Sequence, residues 1–174
     1  MALIAQLQKH YLDYVASLFN EEVLDEQFIQ VHRMKNESNP NLVINLASAF
    51  FRDSEKLINS MSEILEKQLV DFRKVYEIAQ QLRGSSSIVG AAKIKNICAE
   101  FRNLCDSKNV EMMKRYVQQM QFENSVLKSK LNTLFRLEKQ IQASGGAVPA
   151  LKLKNNIARS SACMAAFESS SSAV

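Results

Sequence analysis

Residues 91–144 of this chain contain neither glycine nor proline, and the stretch from 41 to 83 is equally free of both. The four glycines stand at 84, 90, 145 and 146 and the two prolines at 40 and 149. Interior Gly and Pro cost a helix about 1 and about 3 kcal/mol relative to Ala, so such stretches can run as long helices. There is no Trp, few β-branched runs occur, and no apolar/polar alternation of period two is present to build a strand. An all-α chain is expected.

Apolar residues recur at spacings of three and four along most of the sequence. Ile4, Leu7, Tyr11, Tyr14 and Leu18 predict an amphipathic helix over residues 2–19. Leu24, Phe28 and Val31 predict a short second helix capped by Asp25. Asn39 followed by Pro40 reads as a cap with Pro at the first helical position, opening a helix whose stripe is Val43, Leu46, Phe50, Leu57, Met61 and Ile64. Asp71 opens a fourth, with Phe72, Val75, Ala79, Leu82, Ser86 and Val89 facing inward. Ile94, Ile97, Phe101 and Leu104 mark a fifth, and the polar run Asp106 to Asn109 predicts a tight antiparallel turn. From Val110 to Ile141 one face persists for about thirty residues, a helix of roughly 45 Å. Short connections between four longer helices predict an antiparallel up-down four-helix bundle, extended by two N-terminal helices. Residues 1–142 are expected to form a single helical domain, and 143–174, rich in Ser and Ala, a flexible tail.

The 22 basic and 18 acidic residues give +4 but are interspersed, so no basic stripe marks a nucleic-acid binder. Cys98, Cys105 and Cys163 are odd in number, lack CxxC spacing and fall mostly on apolar helical positions, which fits core residues in a reduced compartment. Gln6, Gln8, Lys9, His10 and Asp13 interrupt the first apolar stretch, so neither a signal peptide nor a membrane span is expected. No spacing of His10 and His32 suits a metal, and no cofactor is expected. Met112, Met113 and Met120 fit a bundle core.

The helix predicted over 71–89 carries the most informative outer face. At 100° per residue, Gln80 lies about 130° from the buried stripe and so points outward. Tyr76, Gly84, Ser87 and Ala91 fall within about 60° of it, making a strip of mostly small side chains along an exposed helix. A mid-helix glycine costs about 1 kcal/mol relative to Ala, which is reasonable at Gly84 if a side chain there would obstruct a partner.

The residues of this strip carry a resemblance. Gln80-Gln81-Leu82-Arg83-Gly84-Ser85-Ser86-Ser87, followed by Val89-Gly90-Ala91, resembles the signature HQLKGSSSSxGA of plant histidine-containing phosphotransfer (HPt) proteins. The resemblance extends through LIAQLQKHYLDYVASLF, LDEQF, FFRDSEKLI, KNICAEFRNLC and LFRLEKQIQASGGAVP, about residues 1 to 150. It implies an HPt-like bundle whose exposed histidine takes a phosphoryl group from a sensor kinase's receiver domain and passes it to a response regulator.

In this sequence Gln80 stands where that histidine would be. An imidazole nitrogen offers a lone pair and a pKa near 6.5, whereas the carboxamide nitrogen is delocalised into its carbonyl and offers only hydrogen bonds. The resemblance therefore implies a pseudo-HPt protein, not an enzyme, that binds receiver domains of sensor histidine kinases and response regulators without carrying phosphate. It would act as a competitor or negative regulator in two-component, cytokinin-type signalling. The expected docking residues are Gln80, Gln81, Arg83, Gly84 and Ser87, together with the apolar face Leu24, Phe28 and Val31 of the short helix. Arg83 stands where the family usually has lysine and could pair with an acidic receiver pocket or remain a solvated charge; Ile88 is expected to be exposed. A monomer in cytoplasm and nucleus, without nucleic-acid or membrane partners, is the accompanying expectation. The alternatives are a helical scaffold that has lost receiver binding and a relay through His10 or His32.

Overall fold

The computed structural model describes residues 2–152, and these form six α-helices without a strand. They are α1 (Ala2–Asn20), α2 (Glu26–Arg33), α3 (Leu42–Leu65), α4 (Phe72–Val89), α5 (Ala92–Ser107) and α6 (Val110–Ala143). Helices α3 to α6 are the four-helix bundle, each packed on its neighbours in chain order with α6 returning to α3. Helix α1 lies on α6, and α2 lies across α4 and α3. At 34 residues α6 is the longest, about 50 Å at ~1.5 Å per residue. The remainder of the expected tail and Cys163 lie outside the described residues.

Most helix ends follow their local chemistry. Asp25 caps α2 by accepting a hydrogen bond from Gln27 N–H at 3.0 Å, Asp71 caps α4 through Lys74 N–H at 3.1 Å, and Asn109 caps α6 through Met112 N–H at 3.2 Å. These side chains satisfy donors that the first helical turn leaves without backbone partners. The expected start at Asn39 and Pro40 is corrected: α3 begins at Leu42, while Asn39 N–H turns back to Asn36 O at 3.1 Å and its Oδ1 at 2.9 Å. The carbonyl and side chain of Asn36 together hold the Asn39 N–H in a turn that precedes the helix.

The core runs the length of the bundle, from Phe50, Ile58 and Met61 on α3 through Leu82, Phe101 and Met113 to Leu131 and Leu134 on α6. Cys98 is part of it and Cys105 is half-buried, both unpaired. Burial pushes the Cys98 thiol up to about 12, against the opposing charge of Arg83, so it remains a protonated, weakly reactive core group. The expected domain boundary at 142 also moves. Residues beyond α6 fold back, with Leu151 only 2% exposed and Val148 packed on the core. Gln8 Nε2 donates to Ala147 O at 2.8 Å and Arg33 Nε to Leu151 O at 3.2 Å. Segment 144–152 is thus a strap across α1 and α2, held by two apolar residues and two side-chain donors.

Between α1, α2 and α6 lies a buried polar cluster. Tyr11 Oη donates to Glu138 Oε1 at 2.8 Å, His32 Nε2 lies 2.8 Å from the same oxygen, and Lys35 Nζ is 3.5 Å from Oε2. Burial by itself would raise the Glu138 carboxyl, but hydrogen bonds from His32 and Tyr11 and the charge of Lys35 outweigh it and hold the group below its ordinary range. Burial, and after it the same carboxylate, pushes the Tyr11 phenol far up.

At the α4–α5 turn Gly90 has φ +79°, and a Cβ there would stand 2.6 Å from the Phe28 backbone nitrogen. Its N–H and that of Ala91 both return to Ser86 O, at 3.0 and 2.9 Å, and its own carbonyl accepts from Asp25 N–H at 3.0 Å. Left-handed backbone and close approach of α2 both require glycine here.

Three outcomes are expected. Glu138→Ala leaves His32 and Tyr11 facing an empty buried site and should cost about 3 to 5 kcal/mol by urea unfolding. Because its folded pKa is lowered, the Glu138 contribution is complete above the ordinary value of 4.5 and is lost as pH falls through the lowered one. Glu138→Gln should therefore flatten the decline of stability on acidification below about pH 5. Separately, Gly90→Ala should destabilise by about 1 to 3 kcal/mol in the same assay, through strained φ and the clash with α2.

Candidate functional site

Helix α4 is held at both ends, by Asp71 and by the turn at Gly90, and its inner face is Val75, Ile78, Ala79, Leu82 and Ser86, all buried. Ile78 joins the stripe read from the sequence, widening it toward α5. Ser86 Oγ is buried with no hydrogen-bond partner; its small size, more than its hydroxyl, suits a close helix contact.

With that face inward, Gln81, Arg83, Gly84 and Ile88 are exposed, Ile88 by 57%, while Gln80, Ser87 and Tyr76 are half-buried along the outer side. No hydrogen bond or ion pair ties down the Gln80 carboxamide or the Arg83 guanidinium among the described residues. Ser87 Oγ donates to Arg83 O at 2.9 Å and Ser85 Oγ to Leu82 O at 3.1 Å, so these hydroxyls are turned back onto their own helix. A Cβ built on Gly84 meets nothing within 4 Å. Nothing among the described residues demands glycine at that position. The outward N–H donors on this strip are therefore those of Gln80, Gln81 and Arg83, with a flat place at Gly84 before Ser87.

Two parts of the expected site are corrected. Leu24, Phe28 and Val31 are 3%, 2% and 5% exposed; they seat α2 on the bundle and present no apolar face to a partner. Their companions Val23 and Ile29 are buried too, so α2 spends its whole apolar side internally. Ala91, expected on the outer strip, is 1% exposed because the Gly90 turn rotates it inward, where it faces Leu24. The strip thus ends at Ser87. His32 is buried in the Glu138 cluster, whereas His10 is exposed on α1.

The structure also adds residues that the sequence did not mark. An open groove beside Tyr76 is lined by Phe72 and Arg73 from α4 and by Arg102, Cys105 and Asp106 from α5. It prolongs the Gln80 strip toward the start of α4. Arg102 reaches it only through the pairing of α4 with α5, for which a helical wheel of either helix holds no signal. Among the described residues no group of His, Cys, Asp and Glu could hold a metal ion, and no helix is long and apolar enough to cross a membrane.

The Hpt domain family matches residues 45–151, which contain α4, its outer strip and the strap. Histidine-containing phosphotransfer protein 1 of Arabidopsis thaliana is 46% identical over 86% of this chain and 97% of its own length. Pseudo histidine-containing phosphotransfer protein 2 of Oryza sativa subsp. japonica is 35% identical over 85% and 98%. The crystal structure of a histidine-containing phosphotransfer protein from Medicago truncatula superposes with a TM-score of 0.76 at 41% identity, covering 81% of this chain and 96% of that one. On fold, extent and identity together, the chain belongs to the plant histidine-containing phosphotransfer (HPt) protein family.

Proposed function

We propose that this protein is a pseudo-HPt protein: it docks receiver domains of the two-component phosphorelay through the outer face of α4 and carries no phosphoryl group. The observation that carries the reading is Gln80 itself, set outward in the middle of α4 with an unengaged carboxamide. By resemblance it takes the place of the phospho-accepting histidine, and an amide nitrogen whose lone pair is shared with its carbonyl cannot attack an acyl phosphate. Overall identity does not divide the two kinds of relative, since the chain matches a histidine-containing protein at 46% and a pseudo protein at 35%. The reading rests instead on the chemistry of residue 80.

Retention of docking is supported by what surrounds Gln80. Arg83 supplies a free guanidinium able to make paired bonds with carboxylates, the chemistry of an acidic receiver pocket. Gly84 leaves open space and Ile88 adds an exposed apolar contact. With α2 contributing no apolar side chains, the interface is small, below about 1,200 Å², and of micromolar affinity. A protein that occupies receivers without accepting phosphate lowers the flux through the relay, which makes it a competitor and negative regulator of cytokinin-type signalling. A relay through His32 is disfavoured by its burial against Glu138.

Titration calorimetry with the receiver domain of a plant sensor kinase should show saturable micromolar binding; absence of binding would leave a helical scaffold. Gly84→Gln should keep the helical circular dichroism and weaken receiver binding by about tenfold or more, whereas Gly84→Ala should raise stability by about 1 kcal/mol. Gln80→His should gain acid-labile phosphate from a phosphorylated receiver, with docking affinity nearly unchanged. Acid-labile phosphate on the unaltered chain would refute the pseudo-HPt reading.

A further inference from the structure

On the side of the bundle formed by α3 and α6, away from the α4–α5 pair, two adjoining open grooves share Glu55, Lys128 and Asn132. Arg52 and Lys56 of α3 and Lys128 and Arg136 of α6 line this continuous surface, and Glu55 is the carboxylate among its lining residues. Over the whole chain 22 basic residues face 18 acidic ones, so the imbalance in this groove is out of proportion to the rest of the molecule. Lys128 Nζ is 3.0 Å from Glu55 Oε1 and 6.0 Å from the Phe51 ring centroid, and Arg52 Nε is 3.6 Å from Asp53 Oδ1. Lys56 and Arg136 have no ion-pair partner among the described residues. Between them the walls offer hydroxyls and amides, among them Ser129, Asn59 and Asn132, which can bond to a peptide backbone.

We propose that this groove is a second docking surface, for an acidic, extended segment of a partner protein. The argument is charge complementarity joined to shape. From Lys128 to Arg136 the axial rise along α6 is about 12 Å at ~1.5 Å per residue, the span of about four extended residues at ~3.3 Å each. Carboxylates of an acidic segment at least that long would meet Lys56 in one groove and Arg136 in the other, while its backbone meets the amides between. The chain's own C-terminus does not fit the role: beyond residue 152 it carries Lys154 and Arg159 against Glu168, and the described strap lies on α1 and α2. A nucleic acid fits less well, since the ring at the groove floor, Phe51, is buried and leaves no exposed stacking surface. The site is independent of receiver docking at Gln80.

The test uses the full chain and a fluorescein-labelled ten-residue peptide alternating Glu and Ser, followed by anisotropy at low salt. Saturable binding is expected. Lys56→Glu combined with Arg136→Glu should weaken it at least about tenfold, whereas Lys9→Glu with Arg115→Glu, the same change of charge on exposed positions elsewhere, should change it less than about twofold. All four positions are exposed, and an unchanged circular dichroism spectrum verifies the fold. The proposal is overturned if the peptide does not bind saturably, or if both double variants lose binding equally, which marks a general charge effect. It is equally overturned if a single-stranded oligonucleotide of ten residues binds more tightly with the same dependence on Lys56 and Arg136.

Discussion

The rotation of α4 about its own axis is the constraint on which the candidate site depends. Val75, Ala79, Leu82 and Ser86 are buried along one narrow line, and Gly90 locks the end of the helix under Phe28. Turning the helix by one residue would take Gln80 about 100° around and drive it against a neighbour. The same lock joins α2 to the hairpin of α4 and α5, and the Glu138 cluster then ties α2 to α1 and α6. Packing and polar satisfaction thus fix a face whose own residues contribute little to stability.

Most of the fold could be read from spacing alone. Helical positions three and four apart located all six helices, and Asp25 and Asp71, read as caps, open α2 and α4 where their side chains reach a backbone N–H. Pro40 misled because a proline suited to a first helical turn suits a turn preceding the helix equally well, and Asn36 decided between them. The outer placement of Gln80, Arg83, Gly84 and Ile88 followed from the same wheel, since it needs only the direction of the core.

Other features were out of reach for a reason of the same kind. Periodicity shows that Leu24, Phe28 and Val31 share an apolar side; it does not show whether that side is covered by this chain or by another. The structure covers it with this chain. Leu151 has no periodic companions and so carries no signal, yet it anchors the strap. The association of Tyr11, His32 and Glu138 joins residues up to 127 positions apart, and the α3–α6 groove likewise depends on which helices become neighbours. Long-range pairing, not local chemistry, is what the sequence withheld. Family membership, once established over residues 45–151, fixes the bundle but not the fate of residue 80.

The glycine at position 84 has a consequence for entropy. A partner approaching α4 meets a helix already capped, packed and locked at both ends, and at Gly84 there is no side chain to immobilise. Ser87 and Ser85 are already held by bonds to their own backbone. The side chains of Gln80, Gln81, Arg83 and Ile88 are those that must surrender rotamers, at about 0.5 to 1.5 kcal/mol each. A small surface can then be enough for recognition, because so little of it remains to be ordered when contact is made.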